Sequence, residues 1–200
     1  MDQLALHPYP NPSVKGSPPG AGYRRRDDYG LPQLDRVKQA VYDAFHGTAQ
    51  PTTLGGLTFR LDEVGWQTDT SAYPQYAGVE NWGQVISERQ QVAYLRTTAR
   101  KYVACDPTVT DVELFLLVDE RYRSGRDELG QIVGGGWQSG LLTAGGVGVS
   151  QPKPAFTKLA PLLAAGRAAC TGRLEAWRPA RSGPRTPRTG LITGSSTADR

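Results

Sequence analysis

Apolar residues along the chain form short runs that alternate with stretches of helical periodicity. Runs with strand character occur at 3–6, 57–61 and 112–118. Between and after them, apolar residues recur at helical spacing, which predicts helices at about 32–46, 87–105 and 154–169. This alternation is typical of parallel strands joined by crossover helices, so the pattern predicts an α/β fold. The third run is almost continuously apolar, which predicts a strand covered on both faces.

Local signals mark where two of these helices begin and end. Ser87 and Gln90 have the spacing of a capping box, with the serine at the cap and the glutamine three residues later. Asp106-Pro107 breaks the same helix at its far end. Pro154 lies at a position where a proline favours the start of the next helix.

Polar and aromatic side chains follow each predicted strand. They are His7 and Tyr9 after the first strand, Glu63 and Trp66 after the second, and Asp119 and Glu120, with Trp137 beyond them, after the third. In parallel sheets the working groups lie at the carboxyl ends of the strands, so the sequence predicts one site there. Adjacent strand residues point to opposite faces, so at most one of the last two acids faces that site.

The sequence from Glu63 to Trp66 places a carboxylate beside an indole ring. Sugars present hydroxyl groups that a carboxylate can bind and an apolar C–H face that an indole can cover. We therefore interpret Glu63 as the candidate nucleophile of a retaining sugar hydrolysis, which needs a second carboxyl group roughly 5 Å away. His7 and Tyr9 would bind the sugar or Glu63 itself, and Trp137 would stack on the sugar.

Each of these residues also has a purely structural interpretation. Glu63 could pair with Arg60 at the rim of the sheet. His7 could belong to a loop stiffened by prolines, and Trp137 could be a core tryptophan beneath a glycine-rich loop. The residues alone leave these alternatives open.

Charge is unevenly distributed along the chain. The formal net charge of the 200 residues is +4, and six arginines lie between Thr171 and Arg200. We expect this Arg-, Pro-, Gly- and Ser-rich tail, 171–200, to be disordered. The remainder is nearly neutral, so we predict no nucleic-acid partner, and no stretch is apolar enough to span a membrane.

Cofactor and disulfide signals are weak. Metal-ligand spacing is absent and the glycine run at 134–136 lacks phosphate-binding spacing, so neither a metal nor a cofactor is predicted. The two cysteines, Cys105 and Cys170, either form one disulfide or remain separate buried thiols. The amino terminus lacks the charged and apolar regions of a signal peptide.

Four short segments together resemble a known family of enzymes. They are His7-Pro8-Tyr9, Glu63-Val64-Gly65-Trp66, Trp137 with Ser139-Gly140-Leu141, and Lys153-Pro154-Ala155. They resemble the last three β/α units of a retaining glycoside hydrolase of the cellulase-like (β/α)8-barrel clan, of the secreted actinobacterial type. The resemblance implies that residues 1–170 form a partial TIM-type (β/α)8 barrel of three parallel strands alternating with helices.

The resemblance also implies roles for individual residues. Glu63 matches the nucleophile on the seventh strand, His7 and Tyr9 match sugar-contacting groups on the sixth, and Trp137 is similar to the tryptophan beneath the sugar. The proton-donating glutamate of that clan lies on the fourth strand and has no counterpart here. A barrel of this type needs about 250 residues. We therefore expect a carboxyl-terminal piece of a longer, secreted enzyme, inactive alone and acting on or binding an oligosaccharide or polysaccharide.

Two other functions fit the same residues. The chain could be a non-catalytic carbohydrate-binding or scaffold protein that uses the same aromatic groups. It could also be an unrelated α/β enzyme whose strand-end acids bind a metal or a phosphate-bearing ligand. In a barrel of the kind the resemblance implies, both cysteines follow helices that return to the same end, which would allow a bridge in an exported protein.

Overall fold

A computed structural model describes most of the chain. The described residues are 1–71, 73, 85–120, 124–126, 132–134, 136–145, 150–172 and 176–180. The sequence also predicts a long polar loop after Trp66 that carries Tyr73, Tyr76, Asn81 and Trp82, and most of this loop lies outside the described residues. So does most of the tail expected to be disordered, except residues 171–172 and 176–180.

Three strands form a parallel sheet in the order in which they occur along the chain. They are β1 (Gln3–Leu6), β2 (Thr58–Val64) and β3 (Val109–Leu114). In the register of the sheet, Leu6 lies opposite Leu61, and Leu61 lies opposite Val112. The predicted α/β class and the parallel pairing are confirmed.

Helices follow each strand of the sheet. They are α1 (Leu34–Phe45), α2 (Glu88–Thr97) and α3 (Pro154–Ala165), and a π-helical segment, Thr98–Val103, extends α2. The predicted capping box is present, because the Ser87 hydroxyl accepts from the Gln90 backbone N–H (3.2 Å) and Gln90 Oε1 accepts from the Ser87 N–H (2.9 Å). Helix α3 begins at Pro154, as predicted. No helix in the described part of the chain is long and apolar enough to cross a membrane.

The core lies between the helices and one face of the sheet. Its centre is Phe59 and Leu61 on β2, both fully buried, with Leu34 of α1, Leu95 of α2 and Leu159 of α3 around them. Burying a large apolar side chain completely contributes about 1.5–3 kcal/mol, so these contacts fix the helices against the sheet.

The opposite face of the sheet is polar and exposed. Arg60 of β2 forms an ion pair there with Glu113 of β3, and Asp111 is exposed beside them. The prediction that 112–118 is a strand covered on both faces is therefore wrong. The strand is Val109–Leu114 and alternates, and beyond it Leu117 is 60% exposed.

Two further features lie outside the sheet. Strands β4 (Ser124–Arg126) and β5 (Ile132–Gly134) form an antiparallel ribbon that the sequence did not predict. A disulfide joins Cys105, after the π-helical segment, to Cys170, after α3, with 4.8 Å between their Cα atoms. Of the two alternatives for the cysteines, the structure has the bridge.

Candidate functional site

The end of β2 carries two adjacent carboxylates that contact the same histidine. The Nε2 atom of His7 lies 3.2 Å from Asp62 Oδ1, and its Nδ1 atom lies 3.3 Å from Glu63 Oε2. Regular strand geometry would send these two side chains to opposite faces. The register of β2 against β3 shifts between Leu61 and Val64, and such irregularities re-aim side chains at strand ends.

The loop after β1 brings Tyr9 to the same carboxylate. The Tyr9 hydroxyl donates to Glu63 Oε2 over 2.8 Å. Pro8 and Pro10 restrict the backbone on either side of Tyr9, and both prolines are buried. The structure thus brings His7, Tyr9 and Glu63 together, and Glu63 does not pair with Arg60.

His7 and Tyr9 both contact the same oxygen of the Glu63 carboxylate. His7 and Tyr9 approach Oε2, whereas the described residues offer no hydrogen bond to Oε1. The Glu63 side chain is 32% exposed. One oxygen is therefore held in place while the other is available to a bound molecule.

The two tyrosine hydroxyls near these acids keep their protons to unusually high pH. Burial raises the pKa of Tyr9, and the hydrogen bond to Glu63 and the charges of Glu63 and Asp62 raise it further. Burial also raises the pKa of Tyr29, a shift that a backbone hydrogen bond with His7 opposes and the charge of Asp62 reinforces. Tyr9 therefore remains a hydrogen-bond donor to Glu63 throughout the physiological pH range.

An aromatic cavity of about 500 Å³ lies beside Glu63. Its walls are formed mainly by Tyr9, Tyr23, Trp66, Phe115 and Trp137. Glu63 is the only carboxylate among the described residues that line it. A mostly apolar hollow with one charged group and a few hydroxyls has the character of a small-molecule site.

The two tryptophans contribute to this cavity differently. Trp66 is 4% exposed, packs edge-on against Tyr94, and donates its indole N–H to the Ser17 carbonyl (2.7 Å). It is therefore a core residue that supplies part of the cavity wall. Trp137 is half-buried, and its ring lies edge-on to Phe115 with the centroids 5.8 Å apart.

The acids after β3 hold the segment that carries Trp137. Glu120 Oε2 accepts from the Trp137 backbone N–H over 3.1 Å. Asp119 is buried, forms an ion pair with the buried Lys153 (2.6 Å), and accepts from the Gly140 N–H (2.7 Å). Neither acid lines the cavity, so their role near the site is to position its neighbouring loop.

Several residues of the site gave no sequence signal. Tyr23 lies in the stretch 13–31, which the sequence predicts to be a loop, and its hydroxyl donates to the Tyr9 and Pro10 carbonyls over 3.2 Å each. Phe115 lies inside the run 112–118, which the sequence predicts to be a strand. Gly65 is a sequence signal for the position of Phe115, because a glycine in an extended segment often marks a close approach of another backbone. A Cβ at Gly65 would lie 2.1 Å from the Phe115 carbonyl oxygen.

A larger cavity, of about 830 Å³, lies between α1 and the π-helical segment. Its buried lysine, Lys38, is already paired with Asp106 (2.5 Å) and Asp35 (3.1 Å). Within the described residues, no group of three or more histidines, cysteines or acids could hold a metal ion. The strand-end cavity is therefore the candidate site.

Comparison of the chain with protein-family models, with curated proteins and with solved structures gave no significant match.

Proposed function

We propose that the chain is a glycoside hydrolase-like protein that binds an oligosaccharide or polysaccharide and uses Glu63 as the nucleophile of a retaining reaction. The observation that carries this proposal is the 2.8 Å hydrogen bond from Tyr9 to Glu63 at the wall of an aromatic cavity. An acid beside aromatic rings matches the hydroxylated edges and apolar faces of a sugar.

The contacts of Glu63 suit nucleophilic attack. Tyr9 and His7 fix Oε2, which leaves Oε1 to attack the anomeric carbon of the sugar. The bond from Oε1 to that carbon forms as the bond to the leaving oxygen breaks, and the leaving oxygen then takes a proton from a general acid. Trp137 covers the apolar face of the sugar.

The general acid must come from outside the described cavity. Glu63 is the only carboxylate among the described residues that line the cavity, whereas retaining hydrolysis uses two. We therefore keep the expectation of a partial (β/α)8 barrel whose second carboxyl group comes from elsewhere, so that the chain hydrolyses no natural sugar by itself. The disulfide fits a full-length protein that is exported, because disulfides persist in oxidising compartments.

The same observation favours a second candidate function, a non-catalytic carbohydrate-binding protein. Such a protein would need the aromatic walls of the cavity and the hydrogen-bonding groups of Tyr9 and Glu63, but no second carboxyl group. The two candidates differ in one property, namely whether Glu63 forms a covalent bond to a sugar.

Trapping that bond distinguishes the candidates. Dinitrophenyl 2-deoxy-2-fluoroglycosides in the gluco, galacto, manno and xylo configurations carry a leaving group that needs no acid. We expect one of them to release one dinitrophenolate per chain and to leave the fluorosugar on Glu63, as found by peptide mass spectrometry. Glu63→Gln should abolish labelling. Glu113→Gln, which alters a carboxylate on the exposed face of the sheet, should label like the wild type.

Other outcomes separate the remaining possibilities. Labelling on another residue would refute the nucleophile assignment. Oligosaccharide binding that is lost in Trp137→Ala, together with no labelling by any configuration, would establish the non-catalytic function instead. If neutral oligosaccharides also fail to bind, both carbohydrate functions are excluded.

A further inference from the structure

A second groove lies on the outer side of α2 and the π-helical segment, away from the strand-end cavity. It has a volume of about 480 Å³ and is lined by four basic side chains, Arg89, Arg96, Arg100 and Lys101. Small residues, Ala93, Thr97 and Thr171 among them, lie between the charges. We call this feature the basic groove.

Among the described residues, no acidic side chain neutralises the charges of the basic groove. In the part of the chain that the structure describes, none of the four basic groups lies within 4.0 Å of a carboxylate oxygen. Among the described residues that line the groove, none is acidic. The nearest acid along the helix, Glu88, already accepts a hydrogen bond from Tyr73.

Helix stability explains only part of this arrangement. Basic residues near the end of a helix interact favourably with its dipole, and Arg96 and Arg100 are placed in that way. Arg89 lies in the first turn of α2, where a positive charge interacts unfavourably with the helix dipole. A binding role accounts for a cation at that end of the groove.

The π-helical segment brings further charge into the groove. Adjacent residues of an α-helix point about 100° apart, yet Arg100 and Lys101 line the same groove. Both lie in the segment Thr98–Val103. π-Helical turns are rare and occur frequently at functional sites.

The disulfide closes one end of the basic groove. Thr171 follows Cys170 directly and lines the groove. The Gly172 backbone N–H contacts Cys105 Sγ at 3.3 Å, so the bridge holds this segment beside the helix.

We propose that the basic groove binds a sulfated or carboxylated polysaccharide. Guanidinium groups bind sulfate and carboxylate oxygens in bidentate geometry. The described residues that line the groove include no aromatic side chain to stack on a base, which disfavours single-stranded nucleic acid. They also include no large exposed apolar side chain of the kind found on a membrane-binding helix. The disulfide is typical of compartments where such polysaccharides occur.

Calorimetric titration of the full chain with dextran sulfate and with unsulfated dextran tests this proposal. We expect dextran sulfate to bind, with an affinity that falls as salt is raised from 50 to 200 mM, and the heat measured with unsulfated dextran to be the same in the wild type and in the triple variant R89Q/R96Q/R100Q. The triple variant R89Q/R96Q/R100Q should lose at least about tenfold in affinity, because it removes three guanidinium groups that would bind the anionic groups of the polymer. Trp137→Ala should bind dextran sulfate like the wild type, even if the carbohydrate cavity proves inactive.

A matched control removes the same charge elsewhere. The variant R24Q/R25Q/R26Q neutralises three exposed arginines in the loop before α1, and we expect its affinity to change less than about twofold. Arg89→Gln alone should weaken binding without unfolding α2, because it removes an unfavourable charge from the first turn. Equal affinities of the two triple variants would show that net charge or the basic tail binds the polymer, and would overturn the proposal.

Two further probes test the class of ligand. Oligothymidylate or phosphatidylglycerol vesicles that bind as tightly as dextran sulfate in 150 mM salt would overturn the assignment to a polysaccharide. Absence of binding by dextran sulfate and by polygalacturonate in 50 mM salt would overturn the groove as an anion site.

Discussion

Replacing Lys153 with methionine tests how the protein holds the segment beside Trp137. The side chains of Lys153 and Asp119 are both 0% exposed, and Lys153 Nζ lies 2.6 Å from Asp119 Oδ2. The same ammonium donates to Thr68 Oγ1 (2.8 Å) and to the Gln138 carbonyl (3.1 Å). The variant would leave the Asp119 carboxylate buried without its cation.

The expected loss follows from that burial. Removing one partner of a buried ion pair costs about 3–5 kcal/mol, because the other charge is left uncompensated. The free energy of unfolding of a domain is about 5–15 kcal/mol, so the variant should be strongly destabilised. Urea unfolding followed by tryptophan fluorescence and circular dichroism measures the difference.

Two companion variants keep this prediction testable. Lys158→Met changes an exposed lysine of helix α3, which begins directly after Lys153, and should alter the free energy of unfolding by less than about 0.5 kcal/mol. Thr68→Val removes one partner of Lys153 and should cost about 1 kcal/mol even if Lys153→Met does not fold. A Lys153→Met protein within about 1 kcal/mol of the wild type would refute the reasoning.

Three more changes have expected outcomes. Replacing Cys105 and Cys170 with alanine should lower the free energy of unfolding in urea by about 4 kcal/mol, since the bridge closes a loop of 65 residues. Gly65→Ala should cost at least about 1–3 kcal/mol and displace the cavity wall, because its Cβ would lie 2.1 Å from the backbone oxygen of Phe115. The raised pKa of Tyr9 contributes stability that is complete below pH about 10, the pKa of an unfolded tyrosine, and is lost as the pH rises further. The alkaline decline in stability, measured by thermal melts, should therefore be shallower in Tyr9→Phe.

A specific outcome would contradict each of these three predictions. A wild-type protein that unfolds at the same urea concentration with and without a reducing agent would contradict the role of the disulfide. Gly20→Ala is the control for Gly65→Ala, because its Cβ would meet only the Tyr102 hydroxyl, at 3.8 Å; equal stabilities of the two variants would contradict the close approach. Identical alkaline slopes in wild type and Tyr9→Phe would contradict the pKa shift.

Much of the fold could be predicted because its signals are local. The Ser87–Gln90 capping box and Pro154 each fix a helix start through neighbouring backbone groups, and the alternation of strands with helices gives parallel pairing. Strand β3 was misplaced because the apolar run continues through Phe115 to Val118, whereas the chain leaves the sheet after Leu114. A strand that is buried on one face shows an alternation of apolar and polar residues, and the residues with that alternation are 109–114.

Only those site residues that lie at the ends of the strands could be predicted from the sequence. His7, Tyr9 and Glu63 meet because parallel strands place their carboxyl ends at one edge of the sheet. Tyr23 reaches the same cavity from a loop. Asp119 is bound by the Lys153 ammonium, which lies 34 residues away in the sequence. Sequence spacing does not encode contacts of that kind, since they depend on how the loops pack.

The most direct test of the central claim is a crystal structure of the chain soaked with an oligosaccharide that it binds. The account predicts a sugar ring in the aromatic cavity, with its apolar face on Trp137 and its anomeric carbon about 3–3.5 Å from Glu63 Oε1. A sugar bound elsewhere on the protein, or a Glu63 carboxylate that turns away from Tyr9 and from the ligand, would contradict it.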